Sequence, residues 1–101
     1  MTVRLAIVVP CYNEEEVLPE TNRRLLALLA RLYDLHLISL DSSVHYVDDG
    51  SKDSTWSLIE SLAAVDSRIH GIKLSGNRGH QNALLAGLLT VEGDAVVSID
   101  A

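Results

Sequence analysis

The sequence predicts an α/β protein of the Rossmann-like type, a three-layer α/β/α arrangement around a mainly parallel sheet. Three observations predict this fold class. Short apolar runs alternate with segments of helical periodicity, polar residues follow each apolar run, and the length of 101 residues suits one domain. Strand–helix–strand repeats of this kind are typical of right-handed crossovers between parallel strands.

The apolar runs predict four strands, at Val3–Val9, Val44–Val47, Ile69–Leu74 and Ala95–Ile99. The first run is interrupted only by Arg4, which is typical of a strand covered on both faces. Pro10 is predicted to end that strand because proline has no amide donor.

Helical spacing predicts three helices. The first runs from about Glu15 to Leu32, with Asn13 as its N-cap and acids in its first turn. The second follows a cap at Asp53 or Ser54, with Leu58, Ile59, Leu62 and Ala63 facing inward, and the third covers Ala83–Val91. The segment "DLHLISLDSSV" is predicted to be a loop with a short extended piece, and "SGNRGHQ" a second loop.

The composition excludes several functional classes. The formal net charge is −6, which argues against nucleic acid or anionic lipid as the main partner. No apolar run is long enough for a membrane span, and the amino-terminal segment lacks a signal-peptide cleavage site. The single cysteine, Cys11, indicates a reducing, cytoplasmic compartment.

Polar residues follow each predicted strand, at the edge of the sheet where α/β proteins bind their ligands. These residues are Pro10–Glu14, Asp48–Ser51, Ser75–His80 and Asp100. The turn after the first strand reads C-Y-N-E-E-E rather than G-x-G-x-x-G, so its acids would repel a phosphate. Phosphate binding at this edge would therefore require a divalent cation, Mg²⁺ or Mn²⁺.

Asp48 and Asp49 are adjacent carboxylates at the end of the second strand. Successive strand residues point to opposite faces, so one can accept amide hydrogen bonds from the turn while the other points into the crevice. Gly50 supplies the tight turn that follows.

Four segments in register give the sequence its resemblance to a known family: "VVPCYNEEEVLPE", "VDDGSKDST", "LSGNRGHQNALLAGL" and "GDAVVSIDA". Over essentially the whole chain they resemble the N-terminal half of the catalytic domain of family-2 inverting glycosyltransferases, which have the GT-A fold. The subgroup it resembles most is that of dolichol-phosphate mannose synthase and bactoprenol glucosyltransferase, which transfer a sugar to a polyprenyl phosphate.

The resemblance implies a set of nucleotide-sugar-binding residues. Asp49 would hydrogen-bond the base and Asp48 would brace the turn. Asp100 would be the first acid of a D-x-D motif that holds the metal, with Ala101 as its middle residue. The remaining residues, which would line the nucleotide pocket or contact the base, are Pro10, Tyr12, Glu14 and Val47.

The resemblance also implies a function. Residues 1–101 would be the nucleotide-sugar-binding part of a catalytic domain, truncated at the C-terminus, which binds a UDP- or GDP-sugar for metal-dependent inverting transfer, with polyprenyl phosphate as the acceptor. The second Asp, the catalytic base and any membrane helices would lie outside the chain, leaving it inactive alone. The full-length enzyme would act on the cytoplasmic side of a membrane, and the exposed sheet edge favours a homo-oligomer.

Two alternatives remain open from the sequence. One is a receiver-like, Mg²⁺-binding signalling module, which would require an acid pair after the first strand and a phosphoacceptor Asp after the third. The third predicted strand instead ends in Leu74 and Ser75, followed by a glycine. The other is a non-catalytic interaction fragment.

Overall fold

Strands and helices alternate along the chain in the computed structural model, which describes residues 2–75, 83–84, 86–88 and 91–100. The elements are β1 (Leu5–Cys11), α1 (Leu18–Asp34), β2 (Ser43–Asp48), α2 (Thr55–Val65), β3 (Ile69–Lys73) and β4 (Ala95–Ser98). Residues 83–84 and 86–88 are helical, so the third predicted helix is described in part. In the predicted loop "SGNRGHQ", all residues after Ser75 lie outside the described ranges.

The described strands form one parallel sheet in the order β3-β2-β1-β4. This confirms the predicted fold class, because the order is that of a doubly wound α/β sheet. A receiver-like module would instead place its third strand beside the first. The receiver alternative is therefore wrong, since β3 here pairs with β2 and lies at the edge.

Strand β1 continues through Pro10 to Cys11, so the prediction that Pro10 ends the strand is wrong. Backbone groups two residues apart on a strand point to the same neighbouring strand. The Val8 carbonyl accepts a bond from the Ile99 amide, just after β4, so Val8 points to the β4 side. The nitrogen of Pro10 faces that same side. The β1–β4 pairing ends at Val8 and Ser98, so no ladder bond is lost there.

Helix α1 begins later than predicted. Its N-cap position is Val17, which makes no side-chain cap bond, and Pro19 occupies the first turn. Asn13 is therefore not the cap. Its backbone is in the left-handed region, with φ of 51°, and its side chain bonds a different loop. The acids Glu14–Glu16 precede the helix.

The face of the sheet that packs against α1 and α2 carries the larger group of buried side chains. Along β2 the inward residues are Val44 and Tyr46, and α2 contributes Ile59 as predicted. Leu58, Leu62 and Ala63 are partly buried against this core. The hydroxyl of Tyr46 donates to Asn22 Oδ1 at 2.8 Å, so one buried bond ties α1 to the centre of the sheet.

The opposite face is covered by the helical segment that contains Ala83 and Gly87. A Cβ at position 87 would lie 2.5 Å from Val8 Cγ1 and 2.9 Å from Val47 Cγ2. Glycine at this position lets the helix approach β1 and β2 closely. Both valines are fully buried as a result.

The segment between α1 and β2 contains the predicted extended piece. Ile38 forms a parallel bridge with Val3, and Ser42 Oγ accepts the Leu5 amide at 2.9 Å. In the described portion of the chain, no helix has the length and apolarity that crossing a membrane requires.

Replacing Tyr46 with phenylalanine should destabilise the protein by about 1–3 kcal/mol, because the change leaves the buried Asn22 side chain without its donor. Tyr33→Phe is the matched control, since Tyr33 is exposed. Urea unfolding measures both changes, and equal losses in the two variants would contradict the role given to the Tyr46–Asn22 bond.

Candidate functional site

The carboxyl ends of the strands meet at one edge of the sheet, here called the rim: residues 10–14, 48–55 and 98–100. The register pairs Cys11 with Asp48, and the Asp49 amide donates to the Cys11 carbonyl at 2.9 Å. The Ile99 amide donates to the Val8 carbonyl, which places Asp100 at the same edge. The rim therefore gathers the segments predicted to follow three of the strands.

Hydrogen bonds between backbone amides and side-chain oxygens join the loops that follow β1 and β2. The Asn13 amide donates to Ser51 Oγ at 2.9 Å, and the Lys52 amide donates to Asn13 Oδ1 at 2.8 Å. The Glu14 amide donates to Thr55 Oγ1 at 2.8 Å. Two more bonds join these loops: the Glu15 amide donates to Asp53 Oδ2 at 3.4 Å, and the Ser54 amide donates to Glu15 Oε2 at 3.2 Å.

These bonds explain the small polar residues in "DDGSKDST". Gly50 adopts a φ of 77°, a conformation that favours glycine, which confirms the predicted tight turn. Ser54 occupies the N-cap position of α2 but its side chain makes no cap bond, and Asp53 Oδ1 instead accepts the Thr55 amide at 2.9 Å. Thr55, which is fully buried, in turn bonds Glu14.

Seven amide groups of these two loops are consequently occupied by protein side chains. The N–H groups of residues 13–15 bond the β2–α2 loop, and those of Ser51, Lys52, Ser54 and Thr55 bond side chains as well. A phosphate-binding turn requires such amides to be bare. In the described part of the rim, these turns do not form a phosphate cradle.

Asp48 is fully buried and lies at the last position of β2. Both of its carboxylate oxygens accept the Ser51 amide, at 3.3 and 3.4 Å. The Asp48 carboxylate is thus bonded to the turn that follows β2. Asp49 is also buried, at 3% exposure, and makes further interactions.

The other predicted site residues differ in exposure. Tyr12 is 37% exposed, Glu14 is half-buried and Asp100 is exposed. Pro10 is buried in β1, and Val47 packs against Val8 and Ala83. Ala101 lies outside the described residues.

Two rim carboxylates act on the same thiol. Burial first, and then the charges of Glu14 and Asp48, raise the pKa of Cys11 to about 12. The thiol donates to the Val9 carbonyl at 3.4 Å, so Cys11 stays protonated and inert at neutral pH. The rim is thus an electronegative environment even at its buried base.

Sequence reasoning missed the roles of Asn13, Ser51 and Thr55. The predicted cap at Asn13 used the local signal of an Asn before acids, whereas its partners lie 38 and 39 residues away. The available signal was the run of Ser and Thr residues after Gly50, which are typical donors and acceptors for neighbouring loops.

A cavity of about 630 Å³ opens at the other end of the sheet, away from the rim. Its lining includes Ser43, His45 and His70, with the two imidazole rings stacked at a centroid distance of 4.8 Å. A depression of about 220 Å³ beside Glu14–Glu16 is smaller. The functional site is nevertheless assigned to the rim, because ligands of such sheets bind at the carboxyl ends of the strands.

The chain matches the family model described as "Glycosyl transferase family 2" over residues 6–101. Among curated relatives, "Uncharacterized glycosyltransferase YkoT" of Bacillus subtilis (strain 168) is 50% identical over 99 residues, which cover 96% of this chain and 29% of the relative. The "Undecaprenyl-phosphate 4-deoxy-4-formamido-L-arabinose transferase" of Shewanella sediminis (strain HAW-EB3) is 42% identical over 101 residues, which cover 96% of this chain and 28% of that relative.

A solved structure has the same fold. It is that of "Mannosyltransferase PcManGT from Pyrobaculum calidifontis in complex with GDP-Man and Mn2+", with a TM-score of 0.75 and 25% identity. The match covers 99% of this chain and 28% of that protein. The chain therefore spans less than a third of the length of these similar proteins.

The stability of the protein should fall between pH 6.5 and pH 4 through His45. Burial, and then the neighbouring His70, lower the pKa of His45 from 6.5 to about 4. The unfolded chain takes up this proton as the pH falls through 6.5 and the folded chain does not, so acid favours unfolding. At pH 5 the free energy of unfolding should be lower by about 1 kcal/mol. The full difference between the folded and unfolded pKa values would correspond to ~2 kcal/mol, and the smaller figure allows for the partial exposure of His45.

Urea unfolding of the wild type and of His45→Gln at pH 7 and pH 5 measures this effect. The wild type should lose more stability than the variant on acidification. An equal loss in both proteins would contradict the assignment to His45.

Proposed function

The chain belongs to glycosyl transferase family 2, and on that premise we propose that residues 1–101 form the nucleotide-sugar-binding part of a glycosyltransferase catalytic domain. The donor is a UDP- or GDP-sugar, and the acceptor is a polyprenyl phosphate. Two relatives support these classes: the Pyrobaculum protein is in complex with GDP-Man and Mn²⁺, and the Shewanella relative is named for transfer involving undecaprenyl phosphate.

The observation that carries the proposal is the use of the rim amides. Seven amide groups of its two loops are bonded to protein side chains, and the carboxylates of Glu14, Asp48, Asp49 and Asp100 lie at the same edge of the sheet. A diphosphate at this edge therefore needs a counter-charge that these turns do not supply. A divalent cation held by carboxylates at this edge would supply it.

Asp100 is the metal ligand that the proposal assigns to this chain. Its carboxylate is the donor type that Mg²⁺ and Mn²⁺ prefer, and it is exposed at the end of β4. Within the described residues, no group of three or more His, Cys, Asp or Glu side chains is placed to hold a metal. A cation bound to Asp100 would need water, the diphosphate or other protein groups as its remaining ligands.

The reaction is displacement at the anomeric carbon with inversion. The bond between that carbon and the diphosphate oxygen breaks as the acceptor oxygen attacks from the opposite side, and the nucleoside diphosphate departs. The cation stabilises the charge of the leaving group. A lipid phosphate oxygen is already anionic, so transfer to it needs no strong general base.

Within the pocket, Asp49 accepts a hydrogen bond from the base, while Tyr12 and Glu14 line its sides together with Pro10 and Val47. Ala101 would be the middle residue of the D-x-D motif that Asp100 begins. The Val47 side chain is fully buried against Val8 and Ala83, so Val47 would form the base of the pocket. The full-length protein works at the cytoplasmic side of a membrane, and the outer edges of β3 and β4 favour self-association.

Nucleoside diphosphate binding should require Mg²⁺ or Mn²⁺. With Mn²⁺, calorimetry should give a millimolar dissociation constant for UDP or GDP, roughly −4 kcal/mol, and EDTA should weaken it about tenfold or more. The free nucleoside is the control, because it has no phosphate for the cation to bridge and its affinity should not respond to EDTA. Equal affinity of the diphosphate with and without metal would contradict metal bridging.

Asp49→Ala should weaken nucleotide binding more than Asp48→Ala. Losing a hydrogen bond to a charged acceptor costs about 1.5–3 kcal/mol, roughly ten- to a hundredfold in affinity. Asp48→Ala should instead lower the free energy of unfolding, because Asp48 is buried and bonds the turn. Asp34→Ala, an exposed acid at the end of α1, is the control. The reverse ranking of the two affinities would exchange the roles of Asp48 and Asp49.

A further inference from the structure

Asn13 occupies the position where the two rim loops touch. It is both a donor and an acceptor: its backbone amide donates to Ser51 Oγ at 2.9 Å, and its side-chain Oδ1 accepts the Lys52 backbone amide at 2.8 Å. Tyr12 and Glu14 flank it on one loop. On the other loop, Ser51 and Lys52 directly follow Asp48, Asp49 and Gly50.

The chemistry of this position favours asparagine. Its φ of 51° lies in the left-handed region, which Asn, Asp and Gly enter far more readily than other residues. Glycine would satisfy the backbone but offers no acceptor for the Lys52 amide. Alanine would satisfy neither requirement, so the two demands together select a short side chain with a carbonyl-type oxygen.

The bonds around Asn13 link the two sides of the proposed pocket. Tyr12 stands on the β1–α1 loop, and Asp49 begins the β2–α2 loop. Both loops leave the sheet at the paired positions Cys11 and Asp48. Beyond the backbone bond from the Asp49 amide to the Cys11 carbonyl, hydrogen bonds that involve side chains connect the loops. The separation of the loops past the sheet is therefore set by side-chain bonds, of which Asn13 makes two.

We propose that Asn13 is a positioning residue that holds the β1–α1 and β2–α2 loops at the spacing a nucleoside diphosphate requires. The inference rests on the proposed function. Asn13 acts through Ser51 and Lys52 and does not itself contact the ligand. When the bonds are lost the loops separate, the binding-competent fraction falls, and the apparent affinity falls in proportion.

Four variants separate this role from general stability. Asn13→Ala removes the acceptor and disfavours the backbone conformation, Asn13→Gly removes the acceptor alone, and Asn13→Asp keeps both features. His36→Ala is the matched control, because His36 also has a positive φ, 60°, but lies just after α1, away from the rim.

Calorimetry with UDP and GDP in Mn²⁺ measures the affinities, at a temperature where every variant is folded by circular dichroism. Asn13→Ala and Asn13→Gly should bind about fivefold more weakly than the wild type, the change expected from loss of preorganisation. Asn13→Asp should restore binding to within about twofold, and His36→Ala should lose stability without losing affinity. Hydrogen exchange of the Lys52 amide without nucleotide should speed up in Asn13→Ala and Asn13→Gly only.

The outcomes separate the inference from the proposed function. If the wild type binds nucleotide and Asn13→Gly binds it equally well, the inference is wrong and the proposed function stands. If the wild type binds neither UDP nor GDP, the proposed function is wrong and the inference is wrong with it. Unchanged exchange at Lys52 in Asn13→Gly would also overturn the inference, since the bond would then not hold the loop.

Discussion

The register between β1 and β2 pairs Cys11 with Asp48, and the position of the rim residues on both loops depends on that pairing. A slip of one residue would turn every side chain of a strand to the opposite face. Two contacts oppose such a slip. Tyr46 bonds Asn22 on the face of α1, and Val47 lies beneath Gly87 on the other face. Each face of β2 thus fixes the register independently of the other.

The rim combines a doubly wound sheet with an unusual use of its turns. In a dinucleotide-binding protein, glycines leave the amides at the first turn free for a pyrophosphate. Here Asn13, Glu14 and Glu15 use their amides to join the neighbouring loop, and their side chains leave little positive potential at the edge. The same strand order therefore supports a site of opposite electrostatic character, because the order fixes where a ligand lies and the turns fix how it is held.

The fold could be predicted from local patterns because its strands contain short apolar runs, which are most continuous in β1 and at the end of β2, where the residues are buried. The strands β2, β3 and β4 and the inward face of α2 follow directly from those runs. The start of α1 could not be predicted in the same way. An Asn followed by acids is a normal capping signal, and nothing nearby shows that Asn13 and Glu14 bond residues of another loop instead. The continuation of β1 through Pro10 was equally hidden, since it depends on where the pairing with β4 ends.

The bonds that join the two rim loops connect residues 38 to 41 positions apart. Contacts of such separation carry a loop-closure cost that the β1–β2 pairing also carries, so we expect them to form with or after that pairing. A chain that has collapsed and formed its helices still has separate loops at this edge until the crossover is complete. The complete rim therefore requires both the pairing of β1 with β2 and the packing of α1 on the face of the sheet, because only then do the two loops lie together.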